Sequence, residues 1–198
     1  MAHAPFPPDT TIHWRRLDVF GYEHARIQRV PSGWRLQGKV EVRESGVSAR
    51  FNYVVECDPT WFTRSALVDG EVGGELARFA LTADGAGHWT AGDQVLSAVA
   101  GALDIDLGFT PATNTLPIRR LALEVGESAN VRSAWLRFPE LRLEALDQTY
   151  TREAERTYRY AANVDGELFT ARLDTDEYGR VVHYEGLWTA DTEGSAWE

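Results

Sequence analysis

The sequence predicts an all-β fold of mainly antiparallel strands, arranged as a strongly curved sheet or half-barrel of about a dozen strands with at most one or two short helices. Short runs in which apolar and polar residues alternate have the period of half-buried strands. Turn signals such as Asp69-Gly70 and Asp165-Gly166 separate these runs. Many short strands at this spacing are typical of a meandering antiparallel sheet that is closed or strongly curved.

The strands follow from the alternation in chain order. The clearest is residues 34–43, where Trp34, Leu36, Val40 and Val42 alternate with polar residues. Further strands are predicted at residues 51–55, 62–68, 76–81, 105–109, 119–125, 131–138, 142–150, 157–162, 167–173 and 181–184. Only two segments, residues 94–103 and 152–156, are candidates for short helices.

The predicted domain organisation is one β domain over residues 12–190, with a disordered N-terminal tail at 1–11 and a C-terminal tail at 191–198. Residues 51–69 laid on 158–176 give five identities in nineteen positions. This likeness indicates either two similar halves, about 12–100 and 101–190, or a chance similarity between strand-turn-strand units.

The charge balance excludes several classes of function. With 20 Lys and Arg against 30 Asp and Glu, the net charge is −10, which disfavours binding to nucleic acid or anionic membranes. One cysteine, Cys57, excludes a disulfide framework. With no signal-peptide pattern and no apolar run long enough to span a membrane, we expect a cytoplasmic bacterial protein.

Common catalytic and metal-binding patterns are absent from the sequence. It contains no GxSxG elbow, no glycine-rich phosphate loop and no HExxH motif, and its five histidines lack metal-ligand spacing. We therefore expect no metal and no cofactor, and a binding module is favoured over an enzyme.

Arginines on apolar strand faces are the more unusual signal. Alternation places Arg64 with Phe62 and Ala66, and Arg119 with Leu121. A buried cation requires a partner, which is either a carboxylate or the polar head of a ligand.

Asp104 and Asp106 are two residues apart on a predicted strand, so both carboxylates project from one face. They are candidates for acid/base chemistry or for pairing with arginines.

Aromatic residues supply candidate walls for a ligand cavity: Trp135, Tyr158, Tyr160, Tyr184 and Trp188.

Residues 104–121, DIDLGFTPATNTLPIRRL, are the most distinctive segment. Pro111 and Pro117 bracket a Thr/Asn-rich loop that leads into Arg119-Arg120. With landmarks such as Gly87-His88-Trp89 and Gly186-Leu187-Trp188, this segment resembles the hallmark of the bacterial "putative glycolipid-binding" family, formerly a domain of unknown function. The resemblance covers about Trp14 to Trp188. The chain departs from it at Ala102 and Ala112, where cysteine and phenylalanine are common.

The resemblance implies a fold similar to the carriers that move lipoproteins between bacterial membranes, with a concave apolar face. A glycolipid or another lipid-like ligand would lay its hydrophobic tail on the aromatic face. Arg64, Arg119 and Arg120 would hold its polar head, a sugar or phosphate, while Thr113 and Asn114 would offer neutral hydrogen bonds.

Two other functions stay open from the sequence. One is an enzyme that acts on a hydrophobic or glycosylated metabolite with Asp104 or Asp106. The other is a structural or interaction protein without a ligand, in which Arg119 and Arg120 bridge to the two carboxylates. A monomer and a homodimer are equally compatible with the sequence.

Overall fold

The structure is a computed structural model that describes residues 3–44 and 46–191. Its strands are β1 (Asp9–Arg16), β2 (Phe20–Val30), β3 (Gly33–Glu44), β4 (Val47–Cys57), β5 (Thr63–Val72), β6 (Glu75–Ala83), β7 (Trp89–Ala91), β8 (Gln94–Val95), β9 (Asp104–Leu107), β10 (Ser128–Arg137), β11 (Arg142–Ala154), β12 (Thr157–Val164), β13 (Glu167–Thr175), β14 (Val181–Tyr184) and β15 (Trp188–Ala190). The described residues also form one short helix, α1 (Thr115–Leu121), and two 3₁₀ turns, Ser97–Val99 and Ala112–Asn114.

All fifteen strands form one open sheet in the order β8-β7-β6-β5-β4-β3-β2-β1-β15-β14-β13-β12-β11-β10-β9. Neighbouring strands are antiparallel, except that β9 and β10 are parallel. The predicted all-β, mainly antiparallel fold is confirmed. The two terminal strands, β8 and β9, do not pair with each other, so the sheet is not closed.

Strand alternation gives the sheet one buried face. On β4, Phe51, Tyr53 and Val55 are buried while the residues between them are not. Directly opposite Tyr53 on β3 is Gly38, whose missing side chain leaves room for the tyrosine ring: a Cβ there would lie 2.5 Å from the Tyr53 hydroxyl. Tyr53 thereby reaches across β3 to Glu23 on β2.

The interior of the curve is filled by the connection between β9 and β10. A parallel pair cannot be joined by a tight hairpin, so the chain must cross over between the two strands. Residues 109–118 of this crossover are all buried, and the Phe109 ring stacks on Phe51 of β4 at a centroid distance of 4.3 Å. The crossover therefore belongs to the core and supplies α1.

The strand predicted at residues 119–125 is wrong, because α1 runs to Leu121 and Ala122 follows in the left-handed conformation at φ 47°. Pro117 is tolerated because it is in the first turn of α1, where its missing N–H has no helical partner to lose. The apolar spacing of this segment fits a strand and one helical turn equally well.

Both candidate helices are also wrong. Residues 152–154 extend β11, because Ala154 pairs with Thr157 on β12. Residues 94–103 form the short edge strand β8 and a single 3₁₀ turn. Neither segment is long enough for helical propensity to outweigh strand pairing.

Over the described residues 3–11, the N-terminal segment is ordered against the sheet, unlike the disordered tail predicted at 1–11. β1 begins at Asp9, and before it Phe6 is 8% exposed and packs on Trp34 and Trp61 at centroid distances of 5.3 and 5.2 Å. Burial of this ring holds residues 3–8 against the sheet. Of the C-terminal tail predicted at 191–198, Asp191 is described and its amide donates to the His13 carbonyl, while 192–198 lie outside the described residues. Among the described helices, none is long and apolar enough to cross a membrane.

Candidate functional site

A cleft of about 230 Å³ opens at one end of the sheet, between the crossover and the strands β10 to β15. Its walls are largely aromatic. The aromatic lining residues are Trp135, Phe138, Tyr160, Phe169, Tyr184 and Trp188. They belong to five different strands and one turn, so the curvature of the sheet brings them together.

A carboxyl group, Asp106, and one amide, Asn114, form the polar floor of the cleft. Asp106 on β9 lines the cleft, and so does Trp135, its register partner on β10. The Gln148 side-chain amide donates to Asp106 Oδ2 at 2.6 Å. Asn114 lies beside them, and its Oδ1 accepts a hydrogen bond from the Tyr150 hydroxyl at 2.7 Å. These contacts fix the orientation of both polar groups.

Burial raises the pKa of Asp106 to about 6, against the opposing hydrogen bonds from Gln148 and Thr113. No arginine or lysine hydrogen-bonds to this carboxylate among the described contacts. Asp106 is therefore a carboxyl group that changes charge near neutral pH within an aromatic cleft.

The mouth of the cleft carries one cation, Arg16, whose side chain is largely buried. Its Nε and Nη2 donate to Asp18 at 2.7 and 2.6 Å, and Nη2 also contacts Glu44 at 3.3 Å. The guanidinium lies over the Trp188 ring at 5.1 Å. Arg16 is thus held by two carboxylates at the rim.

Gly108 is required for the close approach of the crossover to the cleft wall. A Cβ at this position would lie 2.9 Å from Trp135 Nε1 and 3.2 Å from the Leu136 carbonyl oxygen. A larger residue would push the crossover away from Trp135 and alter the cleft.

The three arginines predicted to hold a ligand head do not converge. Arg64 is exposed on the outer surface, where it binds Asp58 at 2.8 Å and the carbonyl of Asp84. Arg64 does not point to the buried face that alternation predicts, because a β-bulge interrupts the pairing of β4 with β5. Cys57 pairs with Thr63 and Glu56 with Ser65, which leaves Arg64 as the extra residue.

Arg119 lies at the other end of the crossover and holds the N-terminal segment. Its Nη1 donates to the carbonyls of Ala4 at 3.1 Å and Tyr178 at 3.2 Å, and the guanidinium lies 5.5 Å from the ring centres of Phe6 and Trp61. Burial lowers the pKa of Arg119. This arginine is committed to internal contacts.

Arg120 pairs with Asp104, whereas the structural interpretation of the sequence had both Arg119 and Arg120 bridging to the two carboxylates. Nε and Nη2 donate to Oδ1 and Oδ2 at 3.1 and 2.5 Å, and the two side chains are only 10% and 1% exposed. Burial raises the pKa of Asp104, against the opposing effect of Arg120. Asp104 is therefore paired inside the protein whereas Asp106 lines the cleft, although both project from the same face.

The remaining predicted residues divide between the cleft and the core. Those that line the cleft are Asp106, Asn114, Trp135, Tyr160, Tyr184 and Trp188. Thr113 is buried beneath it and accepts from the Leu107 amide at 3.3 Å. Tyr158 lies elsewhere, against His3, whose Nε2 is 2.9 Å from the tyrosine hydroxyl.

Sequence reasoning missed several lining residues: Arg16, Glu44, Thr110, Phe138, Leu146 and Phe169. The alternation of β1 contained a signal for Arg16, which shares a face with Trp14 and Ile12. Thr110 and Phe138 are in turns, where alternation gives no face, and they could not be found from it.

The sequence model of a family described as "putative glycolipid-binding" matches residues 11–190. The chain belongs to this family. A crystal structure of a DUF1089 family protein from Pseudomonas aeruginosa is similar to it, with 34% sequence identity and a TM-score of 0.77, covering 89% of this chain and 94% of that one. No curated protein matches the chain. The "putative glycolipid-binding" fold is thus shared over nearly the whole length of both chains.

Proposed function

We propose that this protein binds a glycolipid-like amphiphile and that the aromatic cleft holds the uncharged sugar end. The observation that carries this proposal is the combination of aromatic walls with a floor of carboxyl and amide groups that are already oriented by Gln148 and Tyr150. A sugar ring has apolar C–H faces that pack on aromatic rings and hydroxyl edges that exchange hydrogen bonds with Asp106 and Asn114.

The charges around the cleft favour a neutral sugar over a phosphate head. The three arginines expected to bind an anion are engaged by Asp58, by Asp104 and by backbone carbonyls. Arg16, at the mouth, is held by two carboxylates. A phosphate would meet Asp106 without a free cation to offset the repulsion.

The size of the cleft limits how much of the ligand it holds. Its volume of about 230 Å³ is below the roughly 300–1,000 Å³ of sites for drug-sized molecules. It therefore accommodates one ring and the first atoms of a tail. The rest of the tail would lie along Phe169 and Leu187 at the rim.

An enzymatic use of the cleft has less support. Glycosidases work with two carboxyl groups that flank the bond to be cleaved. Asp104, the neighbour of Asp106, is bound on both oxygens by Arg120 and does not line the cleft. The other carboxyl group that lines the cleft, Glu44, is paired with Arg16 at the mouth at 3.3 Å. This arrangement favours binding over hydrolysis.

Calorimetric titration with octyl β-glucoside below its critical micelle concentration tests the proposal. Asp106→Asn and Trp135→Leu should each weaken binding by about tenfold or more. The first replaces one carboxyl oxygen, an acceptor, by an amide N–H group, and the second removes an aromatic wall. The matched control is Asp147→Asn, an exposed carboxylate paired with Arg132 on the outside, which should bind like the parent.

Octyl phosphate serves as the competing ligand in the same assay. Binding of octyl phosphate as tight as that of the glucoside, or equal glucoside binding by Asp106→Asn and the parent, would contradict the proposal.

A further inference from the structure

We propose that the end of the sheet carrying the cleft is a docking surface for the face of an uncharged bilayer. The proposal rests on the proposed function, because the cleft would take its amphiphile from that surface. We call this end the cleft rim and define it by three segments, each a turn with or without the strand residues that flank it: residues 17–19, 164–169 and 185–187.

The antiparallel order of the strands places these turns at one end. β1 ends at Arg16, opposite Trp188, the first residue of β15. The turn between β1 and β2 therefore adjoins the turn between β14 and β15, and the Leu17 amide donates to the Leu187 carbonyl at 2.9 Å. The turn between β12 and β13 lies at the same end, and the residues flanking it, Val164 and Phe169, line the cleft.

Apolar side chains stand exposed along this rim. Leu168 is 72% exposed, Leu17 42% and Phe169 38%. Leu187 and Val164 beside them are half-buried. Exposed leucine and phenylalanine on several neighbouring turns around the mouth of a cleft mark an interaction surface rather than scattered surface residues. The adjoining cleft would let a tail pass from a bilayer to Phe169 without crossing water.

The charges of the rim select an uncharged surface. Arg16 is engaged by Asp18 and Glu44, and Arg137 by Asp165 at 2.6 Å. An anionic bilayer is attracted by free basic residues, and these two cations are already neutralised. A third arginine at this end, Arg43 on β3, is exposed, lies over the Phe20 ring at 5.5 Å and interacts electrostatically with Glu41. The net charge of −10 adds repulsion from anionic lipid. A zwitterionic bilayer is therefore the partner whose chemistry fits.

Flotation with phosphatidylcholine vesicles, with and without a glucosyl lipid, tests the inference on the full chain. The parent should float with the vesicles. Leu17→Glu and Leu168→Glu should each lower the partition constant between vesicles and solution by about tenfold, because each places a charge where apolar area would be buried. The matched control is Val95→Glu: Val95 is 70% exposed but lies at the opposite end, beside β7, which pairs with the last residues of β6.

Octyl β-glucoside titration of the same variants separates this inference from the proposed function. Unchanged glucoside binding together with lost flotation supports the docking surface. The inference is overturned if the parent fails to float, if all three variants float equally, or if phosphatidylglycerol vesicles bind the parent more tightly. It is also overturned if the rim variants alter the sedimentation coefficient but not flotation, since the rim would then join two copies of the chain.

Discussion

Glu23 is a carboxyl group buried in the middle of the concave face, 2% exposed on β2. Its Oε1 accepts hydrogen bonds from the hydroxyls of Tyr53 and Thr110, while Oε2 is buried and has no hydrogen-bond partner among the residues that the structure describes. Burial raises the pKa of Glu23 to about 8, against these hydrogen bonds. A protonated Glu23 therefore joins β2, β4 and the crossover at one point.

Glu23→Gln should remove a pH dependence of stability. In the folded state Glu23 keeps its proton up to about pH 8, whereas in the unfolded chain it loses it near pH 4.5. The stability that it contributes is complete below pH 4.5 and falls by about 1.4 kcal/mol for each pH unit up to pH 8. Urea denaturation at pH 5, 6, 7 and 8 should show the parent losing stability relative to Glu23→Gln over this window.

The exposed carboxylate Glu75 provides the control. Glu75→Gln should follow the parent at every pH. Parallel stability profiles for the parent and Glu23→Gln would show that Glu23 ionises in the folded state at its ordinary pKa.

At the scale of elements, the N-terminal segment closes the end of the interior opposite the cleft. Phe6 packs between Trp34, Trp61 and Tyr178, and Arg119 donates to the Ala4 carbonyl. The Ala4 amide also donates to the Glu177 carbonyl at 3.0 Å. This short segment connects the two halves of the sheet although it forms no strand with them.

Phe6→Ala should lower the free energy of unfolding by about 3 kcal/mol, since a buried aromatic ring is replaced by a cavity. Thermal or urea denaturation measures the change. Phe20→Ala is the matched control, because Phe20 is 53% exposed and its loss should change stability by less than about 1 kcal/mol. Equal effects of the two substitutions would mean that the N-terminal segment does not contribute to the stability of the fold.

At the scale of the whole molecule, the open sheet keeps its curve because the crossover occupies its interior. The crossover contacts β4 through Phe109 and Phe51, and Arg120 on α1 is paired with Asp104 on the edge strand β9. The Ile105 amide of β9 donates to Thr63 Oγ1 on β5 at 3.1 Å. An edge strand is thereby covered rather than left free to pair with another chain.

Arg120→Met should destabilise the protein by about 3–5 kcal/mol, because it leaves the Asp104 carboxylate buried without its partner. The double variant Arg120→Met with Asp104→Leu should recover much of this loss, since an apolar pair of similar volume avoids the buried charge. Urea denaturation of the parent, both single variants and the double variant gives the coupling energy. Additive effects in this cycle would show that the pair does not interact.

Where strands alternate regularly, the sequence pattern predicted which aromatic side chains share one face. Trp135, Tyr160 and Tyr184 were selected as aromatic wall residues, and all three line the cleft. It failed for Arg64, where a bulge reverses the face, and for Arg119, where a helix replaces the predicted strand. Local alternation of apolar and polar residues predicts neither the bulge nor the helix, because both depend on contacts with parts of the chain that are distant in sequence.

The sequence by itself determined the all-β class, the curved antiparallel sheet, the membership of the "putative glycolipid-binding" family and the importance of residues 104–121. These follow from side-chain period and from a distinctive motif, which are local properties of the chain. Only the tertiary structure decided that this segment fills the concave face, that Asp104 and Asp106 have different partners, and that an aromatic cleft remains at one end. Burial and pairing between residues far apart in the chain set these outcomes, and no local pattern specifies them.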